Sequence, residues 1–169
     1  MLKISEANES LHTWLEMDLF TEETKVRIKE ADIILVPDIG KIEGIAKAFR
    51  PDTKPFYKFA KANNLSGEKI EILENKGELN VLNFHSYELW LPNLYINDVN
   101  LLPTVMDLIN RYIGEKQKLN KETIVVNFCL KIQKQSSTCK ILSYKGDIER
   151  LNDLIRDLEG ETIQNWRDI

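Results

Sequence analysis

Asp38 stands just past an apolar run from Asp32 to Pro37 (Asp-Ile-Ile-Leu-Val-Pro), and no other carboxylate is better placed for chemistry. A short run of mostly β-branched residues closed by proline reads as a buried strand. In open α/β sheets the carboxyl ends of such strands border the ligand crevice. The loop that follows, Gly40-Lys41-Ile42-Glu43-Gly44, would connect that strand to a helix. Free backbone N–H groups and the helix dipole favour an anion at such a junction. Asp38, Gly40 and Lys41 are therefore the candidate ligand-binding residues. The spacing fits neither a P-loop nor a dinucleotide fingerprint, and Glu43 would repel an anion, so a plain connecting turn is the competing reading.

Other chemistry is sparse in the sequence. It contains no Gly-x-Ser-x-Gly frame around a nucleophile. The two histidines, His12 and His85, are far apart and lack a partner at metal-ligand spacing. Glu88, three residues after His85, would point to the opposite face of a strand and could not orient it. No metal and no cofactor are expected, catalytic residues cannot be assigned, and the reading leans away from an enzyme. Cys129 and Cys139 fall on the two arms of an expected hairpin, where reduced, packed thiols are the simpler expectation.

Aromatic residues cluster instead. Phe84, Tyr87, Trp90 and Tyr95 surround Pro92. Proline removes a ladder donor, so the stretch 87–96 is expected to be an irregular strand at an edge or a bulge. Exposed edge groups beside Trp and Tyr suit a protein interface, for which Tyr87, Trp90 and Tyr95 are the candidate residues. Packing into the core is the alternative. A second feature is the stripe Lys54, Lys58 and Lys61 on one helix face, which is more simply a solvated surface.

The elements that must carry these residues follow from periodicity. In 123–133 the even positions Ile124, Val126, Phe128, Leu130 and Ile132 are apolar, while Asn127 and Lys131 lie on the opposite face. That is a strand with one buried face, paired through a loop at 134–138 with a second arm. Asp147 can cap a last helix that places Ile148, Leu151 and Leu154 on one side, with a fraying tail at 161–169. N-terminal helices are expected over 5–30, with a cap at Thr21. A short helix is expected over 42–49, and another from Asp52 or Thr53 with Phe56, Phe59 and Ala60 inward. A strand near 69–74 would complete a βαβ unit, and 79–85 would return antiparallel. From Pro103 a helix with Val105, Met106, Leu108, Ile109, Tyr112 and Ile113 inward would stop near Gly114.

With 169 residues, 43% apolar and 30% charged, the chain can bury a sizeable core. The fold class expected is α+β: a single domain, 1–169, with a mixed sheet of five to six strands and helices on one or both faces. A net charge of −4 argues against a broad nucleic-acid footprint, so no nucleic acid is expected as partner. No apolar run has membrane length, and the opening residues do not read as a secretory signal, so a cytoplasmic protein is expected. The function expected is a non-catalytic protein-interaction module, an accessory, adaptor or inhibitor/immunity-like subunit with a protein partner or self-association. The alternative is a small-molecule or nucleotide-binding α/β domain or enzyme, with its site at the end of the Asp32-to-Pro37 strand.

Overall fold

A computed structural model describes residues 1–7, 11–16, 18–37, 48–64, 66–75, 79–81, 88–119, 124–135, 138–151, 153–154 and 156. The chain order is β1 (Leu2–Ala7), α1 (Leu11–Glu16), α2 (Glu22–Lys29), β2 (Ile33–Val36), β3 (Ala48–Phe49), α3 (Thr53–Asn63), β4 (Ile70–Ile72), β5 (Asn80–Val81), β6 (Leu89–Ile96), α4 (Leu102–Leu119), β7 (Val125–Gln135) and β8 (Thr138–Asp147). A 3-10 turn, Val99–Leu101, leads into α4. The protein is an α+β single domain built on a six-strand mixed sheet in the order β1-β8-β7-β6-β2-β4. β2 runs parallel to β4 and β6 parallel to β7, while the remaining neighbours are antiparallel.

Register explains the two cores. Side chains directly opposite one another share a face, and alternate residues along a strand change face. β2 is buried along its whole length because it sits inside the sheet with helices on both sides. Ile33 and Leu35 join the larger cluster with Phe56 and Ala60 of α3 and six inward residues of α4, from Val105 to Ile113. Ile34 and Val36 join the smaller cluster with Trp14 and Leu15 of α1 and Ile28 of α2. Thr21 caps α2 by accepting the Thr24 N–H at 3.2 Å, as its sequence suggests. Asp147 accepts the Arg150 N–H at 2.9 Å and caps the helical residues from 148 onward.

Several expectations need correction. Residues 2–7 form strand β1 rather than helix, paired along its whole length with β8. They alternate weakly, and at a sheet edge even Ile4 stays 50% exposed. Ala48 and Phe49, expected in a helix, form β3, and its partner β5 is parallel to it in a separate two-stranded sheet. Residues 42–47, 82–85 and 161–169 lie outside the described residues. Strand β6 is no edge: it lies between β2 and β7, and Pro92 is accommodated by a register shift between Trp90 and Asn93. Helix α4 continues through Gly114 to Leu119.

Strand β7 holds a further surprise. Its even face is core, as expected, but Asn127 on the other face is also buried and donates to Glu88 Oε2 at 2.6 Å. Cys129 pairs with Ser143 and Cys139 with Gln133, four rungs apart in the ladder. That is about 13 Å along the strands, beyond disulfide reach. Both cysteines are buried and neither is joined in a disulfide. At Gly146 a Cβ would lie 2.6 Å from the Tyr144 hydroxyl, so a larger residue there would have to displace that side chain.

Candidate functional site

The bulge in β6 marks one end of the sheet. Val36, the last residue of β2, pairs with Asn93, so the carboxyl end of β2 lies beside the bulge. Trp90 pairs with Asn127 near the start of β7, Asn127 pairs with Lys145 of β8, and the start of β1 lies against Ser143 and Tyr144. Strands β1, β6, β7 and β8 thus meet there. A cleft of about 500 Å³ opens between them, lined by Lys3, Arg50, Trp90, Asn127, Ser143 and Lys145 among others. Its volume falls in the range of sites for a small ligand or a few side chains of a peptide.

The cleft is basic and aromatic. The Arg50 guanidinium lies over the Trp90 ring, 5.5 Å from its centroid. Such a cation–π contact favours a fixed orientation of the guanidinium against the indole. Lys145 Nζ is 3.3 Å from Glu88 Oε1, and Asn127 donates to the other oxygen of the same carboxylate. Glu88 therefore holds one lysine and one amide at the cleft. Among the described residues, three basic side chains and no carboxylate line the cleft.

Behind Trp90 a half-buried carboxylate, Asp52, fixes the bulge. Asp52 Oδ2 accepts the Trp90 N–H at 3.1 Å, the Asp52 N–H donates to the Trp90 carbonyl at 3.1 Å, and Asp52 Oδ1 accepts the Tyr112 hydroxyl at 3.0 Å. Three elements, the start of α3, β6 and α4, are thereby tied at one residue. Burial pushes the Asp52 carboxyl above the ordinary carboxylate range, against the opposing pull of the Tyr112 hydroxyl, Lys116 and the Trp90 N–H. Tyr112 is raised by burial and by the Asp52 charge beside it.

The sequence-derived candidates fare differently. Asp38, Gly40 and Lys41 lie outside the described residues, as do Phe84, His85 and Tyr87. Trp90 is half-buried and lines the cleft. Tyr95 is fully buried against Trp14, with ring centroids 5.5 Å apart, so it has no surface to present to a partner. Its hydroxyl accepts the Leu11 N–H and donates to Gln133 Oε1, and burial pushes its pKa up to about 12. The cause is parity: Tyr95 shares its face with Ile34, under α1 and α2. His12 sits on the exposed face of α1, 2.8 Å from Glu16.

Sequence reasoning missed Lys3, Asn127, Ser143 and Lys145. They meet Arg50 and Trp90 only through strand pairing, so no spacing in the chain announces them. Asp52 reads in the sequence only as a possible start of a helix; its side chain makes no capping bond and turns to Trp90 and Tyr112. No helix among the described residues is long and apolar enough to cross a membrane. Comparison with protein-family models, with curated proteins and with solved structures gives no match, so the reading of this site rests on its own geometry.

Proposed function

We propose that this protein is an interaction module, of the accessory, adaptor or inhibitor kind, that recognises another protein chain through the Trp90 cleft. The observation that carries the reading is a half-buried tryptophan stacked by an arginine inside a preformed cleft at the sheet end. Tryptophan and arginine dominate the energetics of protein interfaces when they sit in such partly enclosed positions. The Asp52–Tyr112 clamp holds the Trp90 backbone, which lowers the ordering cost of binding. The recognition element is the cleft rather than an open strand edge, because β6 is paired on both sides.

The test is a complex isolated from the native cells, identified by mass spectrometry and rebuilt from purified components. Trp90→Ala should weaken that complex by about 2 kcal/mol or more, the size expected of an anchor residue. Far-UV circular dichroism of the variant should match the parent. A reconstituted complex indifferent to Trp90→Ala would place recognition elsewhere on the molecule.

A further inference from the structure

From the outer margin of the sheet we infer that β1 pairs antiparallel with β1 of a second copy of this chain, about a two-fold axis at Ile4, joining two six-strand sheets into one. The sheet has two margins, β1 and β4. β4 is three residues long, with Ile70 and Ile72 buried, and so short a strand offers little edge to a partner. β1 runs six residues in unbroken register with β8 and contains neither a proline nor a bulge. Those two devices commonly keep a sheet margin from pairing. Solvent reaches Lys3, Ile4, Ser5 and Glu6 along it.

The ladder fixes which groups face outward. The Met1 amino group donates to the Lys145 carbonyl, and the Lys145 N–H donates to the Met1 carbonyl at 3.1 Å. Alternate residues of an antiparallel strand turn their N–H and C=O to opposite sides. Lys3 and Ser5 therefore bond to β8, while Leu2 and Ile4 direct their backbone groups outward. Across a seam between two such strands an even-numbered residue must face an even-numbered one, which leaves few registers. An axis at Lys3 sets two lysines opposite each other, and like charges so placed oppose association. An axis at Ser5 sets Ile4 against the Glu6 carboxylate. An axis at Ile4 sets isoleucine against isoleucine, Lys3 against Ser5 and Leu2 against Glu6, with no like charges opposed. It also covers the half-exposed Ile4 side chain, extending the row of Leu130, Leu142 and Ile4 into the second copy. The strand is thus complementary to itself in backbone, charge and apolar area, as a two-fold interface requires.

The test is sedimentation equilibrium of the full, tag-free chain, with crosslinking to fix the register. The weight-average mass should rise from one chain toward two between about 5 and about 500 µM, the range of a small interface. Ile4→Pro removes an outward donor from each copy and none from the β1–β8 ladder, so it should weaken dimerisation at least about tenfold. Ile4→Lys keeps the backbone groups and sets two cations on the axis, and should weaken it about threefold or more. Far-UV circular dichroism of both should match the parent. Mild oxidation should link two chains of the Ile4→Cys variant, whose new side chains meet on the axis, but not of Ser5→Cys, which lies out of register with its own copy. The parent, with Cys129 and Cys139 buried, should stay unlinked. A parent that remains monomeric at about 500 µM overturns the inference. So does a dimer that ignores both Ile4→Pro and Ile4→Lys, or one that links through Ser5→Cys as readily as through Ile4→Cys. None of these measurements involves Trp90, so the seam is decided apart from the role of the cleft.

Discussion

Asp52 is the residue at which stability and recognition meet. Its carboxyl is raised by burial and partly held down by the Tyr112 hydroxyl, Lys116 and the Trp90 N–H. In the unfolded chain the same group titrates near the ordinary value of about 3.9. Between that value and the higher folded one, the native protein holds the extra proton. Stability from this group is therefore present at low pH and declines as pH rises through the folded pKa. Other carboxylates add their own slopes, so the informative quantity is the difference between parent and variant. Urea midpoints from about pH 4 to about pH 7 should show a shallower decline for Asp52→Asn, which keeps an acceptor for the Trp90 N–H and carries no charge. Tyr112→Phe should steepen the decline, because it removes a donor from the half-buried carboxylate. At neutral pH it should cost about 1–3 kcal/mol. Parallel curves for all three proteins would mean that Asp52 does not titrate in the native state above its ordinary range.

At the scale of elements, legibility followed how locally each one is determined. The interior strand β2 and the even face of β7 could be read because their burial pattern is written in consecutive residues. The inward face of α4 could be read too, but its end could not. Gly114 looks like a stop in sequence, whereas in the fold Lys116 lies over the Tyr112 ring and the helix continues. A Cβ at Gly114 would meet nothing within 4 Å, and its backbone is helical. Gly114→Ala should therefore stabilise the protein by about 0.5–1 kcal/mol, through the lower entropy of the unfolded chain. A lower thermal midpoint would show that the last turns of α4 do not persist in solution. Elements defined by distant partners stayed hidden. β1 owes its strand state to β8, at the other end of the chain, where Ile4 meets Leu142. β3 exists only through β5, and the buried Asn127 amide finds its partner in Glu88, far away in sequence. The cleft is the extreme case, since its bases are contributed by separate segments. Trp90 alone was visible, through the aromatic density around Pro92.

For the whole molecule the sheet is the shared wall of two cores. Along β2 alone, Ile33 and Leu35 serve the α3–α4 side while Ile34 and Val36 serve the α1–α2 side. Along β6, Leu94 and Ile96 face one way and Tyr95 the other. Neither cluster can lose the sheet without stripping the other of its floor, so the two faces should unfold as one cooperative unit. Trp14 provides a reporter for the smaller core, where it is packed edge-on against Tyr95. A background of Trp90→Phe and Trp166→Phe leaves Trp14 as the single tryptophan. Into that background Ile109→Ala introduces a cavity on the far side of the sheet, at a fully buried position of α4. The cavity should cost about 2–5 kcal/mol. If the faces are coupled through β2 and β6, the urea midpoint of Trp14 emission falls together with that of far-UV circular dichroism. If Trp14 keeps its parent midpoint while the dichroism shifts, the α1–α2 cluster holds its strands independently and the sheet does not transmit the loss.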